Sequence, residues 1–420
     1  MRVAIVGGGA AGIMAALGAR SVGADAVLYE RNARLGIKIL ISGGGKCNIT
    51  HEASPRELEE GFIRREARFL RHSFHEFPPS TLLELLHREG LETMTRANGR
   101  VFPCSGRAAD VLEAFERMLD RAGVRVATDA RVSGIEVVDR RVTGIRVGDL
   151  VERCDALVIA TGGMSYRTVG TTGDGIEWAR SLGHTIVPVR AALAPIYFPA
   201  APPPDWQGVA LRDVRFSVDA GSVTGRIVRE GIAVTWRDDI LLTHRGVSGP
   251  AVLEVSRAAA LARELGADAG LVVDLLPDVD ADALLGQWSE RVARSGRSEV
   301  QTWVETIAPR ALVPFVLREA GLAPGRRISE ITRGERGALL ATIKGWRVGV
   351  VGEVPLDRGE VTAGGVALDE VDPKSMASKL IGGLFIAGEA LDVAGSVGGY
   401  NLQAAFSTGW VAGRAGGGSP

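Results

Sequence analysis

Residues 2–12 read RVAIVGGGAAG: a β-branched run, glycines at 7, 9 and 12, then the helical stretch IMAALGARSVG. Few folds accept that order. A buried strand that turns directly into a helix leaves the first turn's N–H groups without partners, and glycines at this spacing let an anion reach them. Gly7 allows the tight turn, Gly9 leaves room for a pyrophosphate against the backbone, and Gly12 lets the helix lie close on its strand, with Ala10 and Ala11 opening the helix. A second strand, DAVLYE, ends at Glu30, where a carboxylate can accept hydrogen bonds from both hydroxyls of an adenosine ribose. The pattern predicts an α/β chain that begins with a Rossmann-like dinucleotide-binding domain.

The far end of the chain decides which dinucleotide. GGLFIAGEALDVAGSVGGYNLQAAFSTGWVAG holds a buried strand, a glycine-acid turn, a second glycine turn and a helix. This is similar to the C-terminal part of two-dinucleotide-binding-domain flavoproteins, in which the acid of the Gly-Glu pair reaches the ribityl chain of FAD. That resemblance implies ribityl contact for Gly388 and Glu389, and a helix opening at Gly399, Tyr400 and Asn401 whose N-terminus faces the flavin pyrimidine. A helix N-terminus favours the negative charge that reduction leaves there by roughly 0.3–2 kcal/mol.

With VGGGAAG, KILISGGGKCNIT, LVIATGG, LLTHRGVSGPAVL, TAGGV and AGEALDVAGSVGGYNLQ in that order, nearly the whole chain resembles the YhiN/BaiN-like family of FAD-dependent oxidoreductases, in which an insertion splits the FAD domain. Lys46 where arginine is common and the variant stretch RANGRVFP are small departures. The resemblance places SGGGKCNIT beside the FAD pyrophosphate and flavin. Gly43, Gly44 and Gly45 can adopt φ > 0 and turn successive N–H groups toward one ligand, while Lys38 and Lys46 can neutralise the diphosphate. Thr161, Gly162 and Gly163 end a buried strand where the chain passes the cofactor. Arg31, Ser42, Cys47, Asn48, Val132, Asp392 and Leu402 complete the expected cofactor contacts. A redox role for Cys47 is disfavoured, because disulfide-reducing flavoproteins carry a spaced cysteine pair and no partner is near in sequence.

Both ends serve one FAD, so the middle is an insertion. The expected division is an FAD domain at 1–189 and 354–420, an inserted β-barrel-like domain at 190–277 and 331–353, and a small helical insert at 278–330. The proline-rich VPVRAALAPIYFPAAPPPDW marks the exit; VRFSVDA, GRIVREG and LVVDLLP read as antiparallel strands; ADALLGQWSERVAR and ALVPFVLREAG read as helices. The glycine-rich tail AGRAGGGSP is expected to be disordered.

Charge and cysteine usage narrow the environment. A formal net charge of -1 over 420 residues gives no global attraction for nucleic acid or an anionic membrane. Cys47, Cys104 and Cys154 are far apart, and His51, His72, His75 and His87 lack ligand spacing, so neither a disulfide framework nor a metal site is predicted. With no leader-like start and no apolar run near ~20 residues, a cytoplasmic protein without a membrane partner is expected.

Only one dinucleotide fingerprint is present, so a nicotinamide donor, NADH or NADPH, must dock transiently. The resemblance implies reduction of a C=C bond activated by a carbonyl, in a small enone or in a uracil ring of ribosomal RNA that becomes dihydrouridine. Such a reaction needs hydride at the β carbon, a proton at the α carbon and a donor to the developing enolate oxygen. His244 and Arg245, in the insertion loop before Ser248-Gly249-Pro250, are candidates for acid and oxyanion ligand, with Tyr400 as a second acid; a loop that merely packs the insertion is the alternative. For RNA, the basic residues Arg310, Arg318, Arg326, Arg327, Arg333, Arg336, Lys344 and Arg347 outnumber Glu319, Glu330 and Glu335 locally, which suits either a phosphate-tracking face or an ordinary solvated one. A flavin monooxygenase and a non-enzymatic flavin-binding protein complete the alternatives.

Overall fold

Short apolar runs bounded by glycine become parallel strands when both of their faces are covered. The computed structural model, which describes residues 1–418, divides into two units: residues 1–190 with those from Leu356 onward, and residues 191–355. In the first unit a five-stranded parallel sheet runs in the spatial order Leu384–Ile386, Ala156–Ile159, Arg2–Val6, Asp25–Tyr29, Arg125–Ala127. Ile5 sits opposite Leu28 on one side and Val158 on the other, and all three are fully buried. This is the expected Rossmann-like sheet, with the first strand at its centre and the glycine turn above its C-terminal edge.

Two helices cover one another beside this sheet, Ala10–Ser21 and Tyr400–Gly417. Their backbones approach closely because glycines line the contact: a Cβ on Gly409 would lie 2.1 Å from the Ala11 carbonyl oxygen, and one on Gly413 would lie 1.9 Å from that of Ala15. The tail therefore departs from the expected disorder. Residues 412–417 continue the last helix, and the glycines that resembled a flexible linker are what let it seat on the first helix; the final two residues of that tail lie outside the described residues.

The second unit is built on a six-stranded antiparallel half-barrel sheet ordered Ile196–Tyr197, Gly246–Ser248, Thr235–Leu242, Ala210–Asp219, Gly270–Asp274, Trp346–Val350. Helix Pro250–Glu264 lies against it, and helices Ala281–Ser295, Val300–Val304 and Val313–Glu319 follow, with Trp288 and Trp303 packed edge to face at 5.1 Å. One expected strand is a helix: GRIVREG forms Thr224–Arg229. Its alternation buries only Ile227, and both edges of strand Ala210–Asp219 are already occupied by neighbours, so the segment satisfies its backbone locally.

Candidate functional site

The glycine turn at the end of strand Arg2–Val6 shows three different uses of a missing Cβ. At Gly7 (φ 109) a Cβ would strike the Ala160 carbonyl oxygen at 2.4 Å, and at Gly12 it would strike that of Gly7 at 1.8 Å. At Gly9, the N-cap of helix Ala10–Ser21, it would meet nothing within 4 Å. Open space beside a helix N-terminus is what an anionic ligand requires. Glu30, 7% exposed, braces the turn: Oε2 accepts from the Gly8 N–H at 2.7 Å and Oε1 from the Asn32 backbone and side-chain amides at 2.8 and 2.7 Å. A carboxylate has about four acceptor positions, so Glu30 keeps capacity for a further donor. Arg31 is turned to Thr172 and Asp174, at 2.7 and 3.5 Å.

SGGGKCNIT interrupts helix Ile37–Gly45. Ser42 leaves helical backbone at ψ 147, and Gly43, Gly44, Gly45 and Cys47 take φ of 57, 67, 81 and 55. The three consecutive left-handed glycines, followed by right-handed Lys46 and left-handed Cys47, make a compact loop that side chains at 43–45 would strain. Cys47 is buried beneath it, and burial, opposed by a contact with Ser42, pushes its thiol up to about 12, leaving an unreactive thiol. Lys46 is exposed. The Asn48 amide donates to the Val101 and Thr50 carbonyls at 3.2 Å and accepts from the Gly399 N–H at 3.1 Å, tying this loop to the start of the last helix.

Four segments distant in sequence meet at a polar cluster. Lys38 Nζ donates to Glu389 Oε2 at 2.5 Å and to Ser165 Oγ at 2.8 Å. Glu389 Oε1 accepts from Ser165 Oγ at 3.1 Å and the Thr362 N–H at 2.8 Å. Thr362 Oγ1 in turn accepts from the Met164 and Ser165 N–H groups at 2.8 and 3.0 Å. Gly163 makes this possible, since a Cβ there would lie 2.4 Å from Thr362 Oγ1. Beside it, Gly162 is left-handed (φ 75) and the hydroxyl of Thr161 is buried without a partner. Ser165 and Thr362 were not singled out in the sequence, although Thr362 opens the TAGGV stretch and Ser165 follows LVIATGG by two residues.

Around the last helix the predicted residues divide. Gly388 donates its N–H to Thr408 Oγ1 at 3.0 Å, and Gly399 (φ 95) caps the helix, with the Thr50 backbone 2.4 Å from where its Cβ would be. Asn401 is engaged with the preceding loop, accepting from the Gly395 N–H at 2.8 Å and donating to the Gly395 carbonyl at 2.9 Å. Asp392, 1% exposed, accepts from the Gly364 N–H at 3.0 Å and pairs with Arg65 at 2.6 Å. Tyr400 stacks on His51 at 4.7 Å, and His51 Nδ1 faces the Gly398 carbonyl at 3.1 Å. Val132 is buried and Leu402 half-buried against the core.

These features fit FAD: the open space at Gly9 beside a helix N-terminus, and acceptor capacity at Glu30 next to it. Residues 1–415 match the model of a family described as the HI0933-like protein Rossmann domain. The chain belongs to this family. A 3-dehydro-bile acid delta(4,6)-reductase from Clostridium scindens is 31% identical, over 99% of this chain and 98% of that protein. A ribosomal RNA dihydrouridine synthase from Escherichia coli is 29% identical, over 97% and 96%. Among solved structures, the 3-ketosteroid delta1-dehydrogenase of Sterolibacterium denitrificans aligns with a TM-score of 0.51 at 14% identity over 99% of both chains, a likeness of fold alone. This member of the HI0933-like family is an FAD-dependent oxidoreductase.

The insertion of this HI0933-like chain holds the remaining candidates. His244 and Arg245 lie in the turn between strands Thr235–Leu242 and Gly246–Ser248, and both are exposed. Arg245 lies over the Tyr197 ring at 3.8 Å and within 3.5 Å of Glu353. The cap of helix Pro250–Glu264 is Gly249. Of the basic cluster, Arg310, Arg326, Lys344 and Arg347 pair with Glu305, Glu335, Asp274 and Asp219 at 3.6, 2.9, 2.8 and 3.6 Å. Among the described residues, no group of three or more His, Cys, Asp or Glu is placed to hold a metal ion, and no helix is long and apolar enough to cross a membrane.

Proposed function

We propose that this chain reduces a C=C bond conjugated to a carbonyl in a small molecule, with NADH or NADPH as the transient electron donor. What carries the reading is end-to-end similarity to a reductase of a steroid-like double bond, at 31% identity over 99% of the chain. FAD would be held by the Gly7–Gly9 turn, Glu30, the Ser42–Asn48 loop, Gly162, Gly163, Glu389 and the helix start at Gly399. When reduced, FAD supplies a hydride to an electron-poor carbon. The protein's own part is to orient the carbonyl, exclude water and deliver a proton. His244 and Arg245 are exposed, Arg245 already lying over the Tyr197 ring and near Glu353, and Tyr400 is stacked on His51.

A ribosomal RNA substrate is the second reading, since the Escherichia coli relative is named for dihydrouridine synthesis. It is the less supported, because four cations of the basic cluster already have carboxylate partners. Anaerobic addition of NADH or NADPH to the yellow protein should bleach the flavin, and a steroid-type enone should restore the colour. Colour restored by uracil-containing RNA alone would replace this reading with the second. Refusal of every donor and acceptor would point to a binding protein, and donor oxidation that demands oxygen to a monooxygenase.

A further inference from the structure

Lys38 reaches Glu389 from a helix that is itself anchored at the glycine turn. The Gly36 N–H donates to the Gly8 carbonyl at 2.9 Å, and helix Ile37–Gly45 starts at the next residue with Lys38 in its first turn. Glu389 is fixed from its own side, where the preceding Gly388 N–H donates to Thr408 Oγ1 at 3.0 Å. An ammonium has three donors, and Lys38 uses two of them, on Glu389 Oε2 at 2.5 Å and Ser165 Oγ at 2.8 Å. Each carboxylate oxygen accepts about two bonds. Oε1 has both, from Ser165 Oγ and the Thr362 N–H, whereas Oε2 has only Lys38. Among the described residues nothing takes the third Lys38 N–H or the second position on Oε2. The two side chains are 27% and 19% exposed, so the pair is within reach of a ligand. One donor beside one acceptor matches a single hydroxyl, which accepts through its oxygen and donates through its hydrogen. The ribityl chain of FAD carries hydroxyls, while an ionised diphosphate offers acceptors only and would meet the Glu389 carboxylate as a like charge.

We propose that Lys38 binds a ribityl hydroxyl of FAD jointly with Glu389 and sets the reduction potential of the flavin by cancelling the charge of that carboxylate. This rests on the seating of FAD at Glu389 under the proposed function, and holds for any acceptor. Two electrons and one proton, arriving together as a hydride, leave a neutral flavin ring with one negative charge. A carboxylate near the ribityl chain opposes that charge, and an ammonium 2.5 Å from the carboxylate removes most of the opposition. Taking away either member of such a pair leaves the other as an uncompensated charge, and taking away both restores neutrality. Lys38 itself exchanges no proton and no electron.

Anaerobic redox titration of four holoenzymes tests this: wild type, Lys38→Met, Glu389→Gln and the double variant. In Lys38→Met the carboxylate is unbalanced, so reduced flavin should be held about tenfold more weakly relative to oxidised flavin, a fall in midpoint of about 30 mV. In Glu389→Gln the ammonium is unbalanced and the midpoint should rise by a similar amount, while the double variant should return close to wild type. Lys38→Arg, which keeps the charge, should shift the midpoint far less than Lys38→Met. A midpoint unmoved by Lys38→Met reduces the pair to a structural contact and overturns the proposal. So does a fall of equal size with and without the Glu389 carboxylate, because Lys38 would then act elsewhere, as at the diphosphate. If Lys38→Met loses FAD, retention after gel filtration reads the same cycle: adding Glu389→Gln should restore it, and a failure to restore it overturns the proposal. Lys38→Gln, which can still donate to both acceptors, carries the comparison if the Met variant does not fold. Wild-type midpoint and wild-type FAD retention in Glu389→Gln would take Glu389 off the flavin and sink the seating with the proposal; an effect of Glu389 with none of Lys38 sinks the proposal alone.

Discussion

Gly9 and Gly12 are three residues apart in one turn, yet their surroundings give them opposite tolerances. Valine at 9 projects into open space, so the apoprotein should lose only about 1 kcal/mol, the order of an N-cap change. FAD retention should collapse, because the branched side chain fills the space at the helix N-terminus. Alanine at 12 strikes a backbone oxygen at 1.8 Å, so there the apoprotein itself should be destabilised by about 1–3 kcal/mol or more. Melting of the apoproteins and flavin content after gel filtration separate the two effects. A Gly9→Val protein that keeps stoichiometric FAD would remove the pyrophosphate from this turn.

At the scale of elements, the crossing of helices Ala10–Ser21 and Tyr400–Gly417 depends on absent side chains. Gly413→Val should cost about 1–3 kcal/mol, since the obstacle is the Ala15 backbone and cannot rotate away. Gly286, inside helix Ala281–Ser295, has nothing within 4 Å of its would-be Cβ, and Gly286→Ala should add about 0.5–1 kcal/mol through helix propensity. Denaturant midpoints of the two variants should move in opposite directions; movement in the same direction would mean the glycines of the last helix are not a packing device. The crossing also explains why a tail that reads as low complexity is ordered as far as Gly417.

For the whole molecule, the pH dependence of stability should carry the mark of His184. Its side chain is inaccessible, with Nδ1 3.0 Å from Glu370 and Nε2 2.8 Å from Ser378 Oγ, and burial holds its pKa below the ordinary value although Glu370 opposes this. A histidine kept neutral in the native state binds fewer protons than in the unfolded state once pH falls below about 6.5. Its stabilising contribution is therefore present above that pH and is lost as pH falls toward and through the depressed native value. Wild type should lose more stability than His184→Gln between about pH 7.5 and 5.5 in urea titrations. Parallel losses would show that the histidine does not titrate on unfolding. The charge balance acts at the same scale: a net charge of -1 leaves recognition to local groups, and within the basic cluster of the insertion four of the eight cations pair with carboxylates.

What the amino-acid sequence determined by itself was whatever is written within a few consecutive residues. RVAIVGGGAAG specifies strand, turn and helix because each glycine answers a local steric demand, and the run at 43–45 is left-handed for the same reason. Glu30 was legible because its distance from the glycine turn is fixed by one helix and one strand. Only the tertiary structure decided that Lys38, Ser165, Thr362 and Glu389 form one cluster, and that GRIVREG has no free strand edge to join. Lys38 and Glu389 are separated by 351 positions, and a contact of that kind leaves no period or spacing in the chain. It exists because parallel strands bring their C-terminal ends to one edge, where side chains from remote segments are desolvated together and must find one another.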